Sequence, residues 1–311
     1  MGVMINGVWD KLARNLPGTD GAFIRQPTGF HATIAPGTAH PPQPGRYHLI
    51  VSLACPWAHR TLIMRALKGL DGMLGVAVTH WLMAEQGWNF APGPGVVPPP
   101  VADITALHQL YRLAAPHYTG RVTVPVLWDT ATSRIVNNES AEILRILNAA
   151  FDGVGARPGD YYPQPLRAEI DAVNTRIYET LNNGVYRAGF ATTQAAYDAA
   201  VHPLFDTLDW LEGRLAGHDF LVGGQLTEAD IRLFTTLARF DAVYHGHFKC
   251  NLRRLVDYPH LSAYARRFHG LPGVATTCDF DHIKRHYYES HRHLNPSGIA
   301  PAGPARDFRS P

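Results

Sequence analysis

Residues 47–70 read YHLIVSLACPWAHRTLIMRALKGL. Tyr47 to Ala54 alternates and then runs apolar, as a buried strand does. His59 to Leu70 carries Leu62, Ile63, Ala66, Leu67 and Leu70 at helical spacing, with Gly69 near its stop. Between strand and helix stands Cys55-Pro56-Trp57-Ala58. Pro56 occupies a position where a missing N–H costs nothing in a first helical turn, which puts Cys55 at or next to the N-cap. The unpaired N–H groups and the positive end of the helix dipole favour a thiolate there, as they do in Cys-x-x-Cys redox proteins. In those proteins a second cysteine three residues on opens the mixed disulfide internally. Here that position is Ala58, so a mixed disulfide on Cys55 must be resolved by an outside thiol, and glutathione is the abundant candidate. Most single cysteines are buried packing residues, but strand, Cys-Pro and helix together favour the reactive reading. Cys250 and Cys278 have no such context and read as packing or surface residues.

Working outward, Gly75 to Leu82 reads as a second strand, followed by a Gly- and Pro-dominated loop from Gln86 to about Pro100. Val122 to Asp129 is another apolar strand, Arg134 to Val136 a short partner, and a helix follows from Ser140 to Ala150. The order β-α-β, long connection, β-β-α is that of a thioredoxin-like α/β domain. In that topology Thr123-Val124-Pro125 is where a cis proline leaves the preceding residue's backbone N–H and C=O to pair with an extended peptide, so Val124 would hold the cysteinyl part of glutathione. The alternative is an edge-strand proline, since a proline inside an apolar strand removes a ladder donor and is otherwise hard to place. At Asn137-Asn138-Glu139-Ser140, Ser140 and the first amides of a helix can bind a carboxylate while Glu139 pairs an ammonium, the two charges of a γ-glutamyl end. Taken alone, Glu139-Ser140 would be plain capping.

After Asp152 the pattern changes. Leu166, Ile170, Val173, Ile177 and Leu181 recur at helical spacing, and further helical stretches cover about 194–216, 228–244 and 259–270. The expected organisation is therefore an extended N-terminal arm over 1–46 that is rich in Gly, Pro and Thr over 17–46, a thioredoxin-like glutathione-binding domain over 47–152, a linker at 153–163, an all-helical C-terminal domain over 164–294, and coil over 295–311. Thr227-Glu228-Ala229-Asp230 opens one of the helices as a capping pattern and is assigned to folding.

The 311 residues are 46% hydrophobic and 17% charged, with 28 Lys plus Arg against 26 Asp plus Glu and a net charge of +2. That balance favours neither nucleic acid nor an anionic membrane as partner. Three cysteines without paired spacing are not a disulfide framework and point to a reducing compartment. Met1 to Leu16 is interrupted by Asn6, Asp10, Lys11 and Arg14 and has no apolar stretch of signal-peptide length, and no window approaches a membrane span. A soluble cytoplasmic protein is expected. His282, His286, His291 and His293, or His245, His247 and Cys250, could be grouped as metal ligands. No carboxylate or cysteine ligand is obviously supplied near the first set apart from Asp281 and Glu289, and polar loop residues are the simpler account of the second. No metal is expected.

The run at 47–70, GRVTVPVLWD with IVNNESAEILRILN, the segment NNGVYRAGFA, and HIKRHYYESHRHLNPSGIAPAGP resemble the glutathionyl-hydroquinone reductases, the xi-class glutathione transferases. Together they reach from residue 47 to 304. The resemblance implies a glutathione site of Trp88, Arg121, Val124, Pro125, Glu139 and Ser140 around the nucleophile Cys55. It implies a hydroquinone side formed by Tyr186, Tyr287 and His286, and a cytoplasmic homodimer that reduces S-glutathionyl-hydroquinones with glutathione as co-substrate and no metal. Arg121 would pair a glutathione carboxylate through its fork of donors. The sequence departs from the family pattern in the Gly/Pro-rich stretch Ala91–Pro100. Two rivals stand beside this reading. A conjugating transferase or isomerase would activate glutathione with a Ser or Tyr hydroxyl, and Cys55 in that place argues against it. A non-catalytic binding module of the same fold would have no need of Cys55, Val124-Pro125, Glu139-Ser140 and the Tyr287 region together.

Overall fold

The computed structural model describes residues 2–13, 20–25 and 27–310. Arg14, Leu16 and the Pro17-Gly18-Thr19 part of the arm lie outside the described residues. The chain divides into two compact units. The first takes the described residues of Met1–Asn15, Gln26–Gly159 and Asp281–His286, and the second those of Leu16–Arg25, Asp160–Phe280 and Tyr287–Pro311.

The first unit opens on a hairpin, β1 (Val3–Ile5) and β2 (Val8–Asp10), inside the segment expected to be an extended arm. Asn6 and Gly7 both have positive φ (48° and 77°), the two-residue turn whose twist suits a hairpin. A Cβ on Gly7 would stand 1.8 Å from the Pro116 carbonyl oxygen, so glycine is the residue that fits. Farther along, the arm runs beside the sheet: Ala32 N–H donates to Val136 O at 2.9 Å and Asn138 N–H to Phe30 O at 3.1 Å. It thereby covers a strand edge that would otherwise present open backbone groups.

The sheet has the order β4-β3-β5-β6. The apolar run quoted above supplies its central strand β3 (Tyr47–Val51), parallel to β4 (Leu74–Val78) and antiparallel to β5 (Val126–Asp129), which pairs antiparallel with β6 (Arg134–Asn137). Helix α1 (Pro56–Leu67) starts earlier than the apolar spacing indicated, because Pro56 is its first residue and Cys55 its extended N-cap at φ −77°, ψ 121°. It ends at Lys68, whose buried ammonium lies 2.6 Å from Asp152 and 2.8 Å from the Gly159 carbonyl, a cation at the negative end of the dipole. Helix α3 (Ser140–Ala149) packs on α1.

The long connection holds a helix that the sequence reading left out, α2 (Leu107–Ala114), which packs on β6. Its buried Leu107, Leu110, Tyr111 and Ala114 recur at i, i+3, i+4 and i+7, and the Gln109 side chain accepts from the Ala106 N–H at 3.0 Å. The element β-α-β-α-β-β-α is thereby complete. The Gly/Pro-rich stretch before it is ordered by pairing: Val78 and Val97 exchange both backbone hydrogen bonds (2.8 and 3.0 Å), and His282 Nε2 meets the Pro94 carbonyl at 2.7 Å.

The second unit is helical, as its apolar spacing indicated. Helices α4 (Arg167–Arg176), α5 (Gly184–Gly189), α6 (Gln194–Arg214), α7 (Glu228–Arg239), the short α8 (His245–His247) and α9 (Pro259–His269) pack through contacts of α5 with α6, α4 with α7, and α6 and α7 with α9. Two stretches read as plain helix are wider π turns, Ile177–Asn182 before α5 and Phe240–Tyr244 after α7. Such turns recur at functional positions. Helix α10 (Phe280–Ser290) follows, and the irregular tail beyond it buries Phe308 against Phe234. At the head of α7, Asp230 accepts from the Leu221 and Thr227 N–H groups, and burial pushes its carboxyl up to about 6 against those bonds. Among the described residues no helix is long and apolar enough to cross a membrane.

Candidate functional site

In the first unit, Cys55 ends the turn from β3 into α1 and is 8% exposed. Its Sγ lies 3.7 Å from the Val124 carbonyl oxygen. The Val124–Pro125 peptide is cis. The β3–β5 ladder runs only as far as the Ile50–Val126 pair, so Val124 stands two residues outside it. Glu139 caps α3 by accepting from the Ala141 N–H at 3.2 Å, and its second oxygen takes the Thr28 hydroxyl at 3.4 Å. Arg60, one turn into the helix that Cys55 heads, donates to the Ser140 hydroxyl at 3.4 Å, which ties the two helix starts together.

A hydroxyl on α2 connects the segments that precede Val124 and Glu139. Tyr111 Oη donates to the Thr123 carbonyl at 2.8 Å, and Asn138 Nδ2 donates to Tyr111 Oη at 3.0 Å. The residues before Val124-Pro125 and before Glu139-Ser140 are thus pinned to one buried phenol, whose pKa burial raises. Arg121 is half-buried, and Tyr118 Oη donates to its carbonyl at 2.8 Å. Trp88 is buried and stacks on His286, with ring centroids 4.9 Å apart at 21°. His286 Nδ1 is 2.8 Å from the Trp81 carbonyl, so Nδ1 carries the proton and Nε2 is the remaining ring position.

In the second unit, Tyr186 on α5 and Tyr287 on α10 meet hydroxyl to hydroxyl at 2.6 Å. Tyr244, from the π turn after α7, brings a third hydroxyl to 3.1 Å from that of Tyr287. Tyr244 and Tyr287 are fully buried, and burial holds both phenols well above their ordinary pKa. Phe248 packs against all three rings. Gly189 makes room for Phe248: a Cβ at Gly189 would lie 2.2 Å from that ring.

The histidines grouped above as conceivable ligands have other engagements. His282 and His286 face the Pro94 and Trp81 carbonyls, and His247 Nε2 lies 3.2 Å from His291 Nδ1. Among the described residues no group of three or more His, Cys, Asp or Glu side chains could hold a metal ion.

Residues 54–150 match the glutathione S-transferase N-terminal domain family and residues 194–267 the C-terminal domain family. The chain is 56% identical to the glutathionyl-hydroquinone reductase PcpF of Sphingobium chlorophenolicum, over 98% of this chain and 97% of that one. It is 51% identical to the glutathionyl-hydroquinone reductase YqjG of Escherichia coli strain K12, over 100% and 98%. The chain belongs to the glutathionyl-hydroquinone reductases, the xi-class glutathione transferases. Solved structures agree. Glutathione-bound YqjG superposes with a TM-score of 0.89 at 51% identity over 100% of this chain and 98% of that one. The xi glutathione S-transferase of Phanerochaete chrysosporium gives 0.91 at 51% identity over 93% and 95%.

In this xi-class chain, sequence reasoning missed Arg60, Tyr111 and Tyr244. Arg60 follows Cys55 on the quoted helix, and Tyr111 lies on the apolar face of a helix whose i, i+3, i+4, i+7 spacing was there to be read. Tyr244 carries no local signal, because only tertiary packing brings it to Tyr287 across 43 residues of sequence.

Proposed function

We propose that this chain reduces S-glutathionyl-hydroquinones to hydroquinones, with Cys55 as the nucleophile. The observation that carries the reading is the placement of Cys55 at the N-terminus of α1, with its sulfur 3.7 Å from the carbonyl of Val124 beside a cis proline. It stands in a chain of the reductase family. Val124 is proposed to pair the cysteinyl backbone of glutathione, Glu139 its ammonium, Ser140 and Arg121 its carboxylates, and Pro125 and Trp88 to shape the site. Tyr186, Tyr287 and His286 are proposed to bind the hydroquinone hydroxyls and move its protons.

The chemistry balances in two steps. In the keto tautomer of the substrate, a hydroxyl proton has moved to the ring carbon that carries sulfur. Cys55 thiolate attacks that sulfur and the C–S bond breaks. Its electron pair restores the aromatic ring and leaves the charge on oxygen, where a phenol or imidazole proton neutralises it. Cys55 is then a mixed disulfide with glutathione. A second glutathione thiolate attacks the glutathione sulfur of that disulfide, which yields oxidised glutathione and regenerates Cys55 thiolate. The thiol sulfur of the second glutathione and the thioether sulfur of the substrate are oxidised to a disulfide, and one aryl carbon is reduced. The resemblance also supports a cytoplasmic homodimer.

The test compares wild type with Cys55→Ser for release of hydroquinone from a glutathionyl-hydroquinone in the presence of glutathione, with mass spectrometry of the wild-type protein for a glutathione adduct. Cys55-dependent release with an adduct on Cys55 is expected. Release that survives Cys55→Ser would remove the covalent route. Conjugation of aryl halides without release would favour the conjugating transferase.

A further inference from the structure

Trp88 and Arg121, both proposed for the glutathione site, lie outside helices and strands, so neither a ladder nor a helix sets their place. Each follows a short segment that docks on the N-terminal hairpin β1–β2. Before Trp88 the segment is the turn Ala84–Gly87, closed by Gly87 N–H donating to the Ala84 carbonyl at 3.0 Å. Trp9 of β2 holds that turn at three points. Its Nε1 donates to the Glu85 carbonyl at 2.9 Å. Its ring lies so close over Gly87 that a Cβ there would stand 3.0 Å from it. The same ring stacks on His108, with centroids 4.9 Å apart at 9°, and His108 Nε2 meets Gln86 Oε1 at 2.7 Å. On the far side of Trp88, its carbonyl accepts from Leu107 N–H at the start of α2 at 2.8 Å. Trp88 is thus presented between two fixed points, and Trp9 supplies one of them.

Before Arg121 the segment is Tyr118 to Gly120. Met4 and Gly120 exchange both backbone hydrogen bonds at 2.9 Å, Gly7 N–H donates to the Tyr118 carbonyl at 2.9 Å, and Asn6 N–H donates to Thr119 Oγ1 at 2.9 Å. Met4 is fully buried and anchors β1. A lone two-stranded hairpin is marginal in water, so β1–β2 and the two segments it touches hold one another.

We infer that the N-terminal hairpin is a positioning element for the glutathione site: Trp9 fixes the turn that presents Trp88, and Met4 to Gly7 fix the segment that presents Arg121. An arginine fork or an indole ring contributes to affinity in proportion to how little it must be ordered when the ligand arrives, and a backbone held in advance removes that cost. What the hairpin positions rests on the glutathione roles proposed above for Trp88 and Arg121; that it grips both segments does not.

Cys55 stands on the turn from β3 into α1, an element that none of these contacts involves. The hairpin therefore acts on binding and not on the thiol. In the two-step reaction proposed above, the S-glutathionyl-hydroquinone and the second glutathione both bring a glutathionyl group to the site, so a loosened hairpin raises KM for both.

The test measures binding of reduced glutathione by calorimetry, and amide hydrogen exchange by mass spectrometry, in the full-length protein as wild type, Trp9→Ala, Trp9→Phe, Gly7→Ala and Arg121→Met. Trp9→Ala is expected to weaken glutathione binding about three- to tenfold and to speed exchange in peptides over 84–90, with α1 and α3 unchanged. Gly7→Ala, whose new methyl meets the Pro116 carbonyl oxygen, is expected to weaken binding by a similar factor with faster exchange over 118–122. Trp9→Phe retains an aromatic ring against Gly87 and His108 and loses the bond to Glu85, so a smaller loss is expected; it keeps the test available should Trp9→Ala not fold. In turnover, Trp9→Ala and Gly7→Ala are expected to raise KM for both substrates at little-changed kcat, with Cys55 alkylated by iodoacetamide at the wild-type rate. Faster exchange spread through α1 and α3, or a loss confined to kcat, would make the hairpin a folding element and overturn the inference. Wild-type affinity in Trp9→Ala and Gly7→Ala beside weakened binding in Arg121→Met would overturn it too. Wild-type affinity in Arg121→Met would instead defeat the glutathione role of Arg121, while exchange localised to 84–90 and 118–122 would still support the grip of the hairpin on both segments.

Discussion

The Tyr111 hydroxyl donates to the Thr123 carbonyl at 2.8 Å while it accepts from Asn138 Nδ2 at 3.0 Å. One phenol therefore holds the backbone on which Val124 is presented and the turn that presents Glu139 and Ser140. Replacement by phenylalanine keeps the ring that fills the core between α2 and the sheet and deletes only the oxygen. Both partners are then left short of a bond, at a cost of about 1–3 kcal/mol. Tyr111→Phe is expected to weaken glutathione binding several-fold by calorimetry, with Cys55 still alkylated by a small reagent. Unchanged glutathione affinity would make Tyr111 a folding residue only.

Gly189 presents a second dependence. A methyl group there would fall 2.2 Å from the Phe248 ring, and Phe248 packs on Tyr186, Tyr244 and Tyr287. The ring cannot yield without disturbing the phenols. Gly189→Ala is expected to cost about 1–3 kcal/mol in urea unfolding through overpacking. Turnover of a glutathionyl-hydroquinone is expected to drop with it, while glutathione adduct formation on Cys55 is retained. Full turnover in a folded variant would show that Phe248 can shift without moving the tyrosines.

These two positions mark what could and could not be read from the chain. The placement of Cys55 at a helix start was legible because strand, Cys-Pro and helix are contiguous, and periodicity alone carried most helices of the second unit. The hairpin at Val3–Asp10 was hidden by its short strands although Asn6-Gly7 is its turn signal, and α2 by the Gly/Pro-rich stretch ahead of it. The neighbours of Tyr287 were not legible at all. Tyr244 and Tyr186 reach it across 43 and 101 residues, and the π turn that delivers Tyr244 looks like ordinary helix in its apolar spacing.

Acid stability has an identifiable contributor in Asp129. Its carboxylate is fully buried, which alone would raise its pKa, but Arg46 at 2.6 and 2.8 Å and His40 at 2.8 Å outweigh burial and hold it well below the ordinary 3.8. A carboxyl lowered by folding stabilises the native state at pH values above its unfolded pKa. That contribution is lost as pH falls from about 4 toward the folded value. The urea midpoint is thus expected to decline below about pH 4. In Asp129→Asn this part of the decline should be missing, and stability at neutral pH should be lower by about 3 kcal/mol, because Arg46 loses its buried partner. An unchanged acid profile in Asp129→Asn would assign the decline to other carboxylates.

On the proposed mechanism, Tyr287 bears on one of the two chemical steps and not on the other. Its hydroxyl meets those of Tyr186 at 2.6 Å and Tyr244 at 3.1 Å, so Tyr287→Phe removes both of these hydrogen bonds. Opening of a Cys55–glutathione disulfide needs only thiol chemistry, whereas release of an aryl carbon needs a proton at the departing oxygen. Tyr287→Phe is therefore expected to lower hydroquinone release about 10- to 100-fold, while Cys55 is still glutathionylated by oxidised glutathione at close to the wild-type rate. Equal losses in both measurements would mean that the substitution acts by disturbing the fold. Unchanged release would remove Tyr287 from the mechanism and leave Tyr186 and His286, the latter held by Trp81 and stacked on Trp88, as the proton donors to examine.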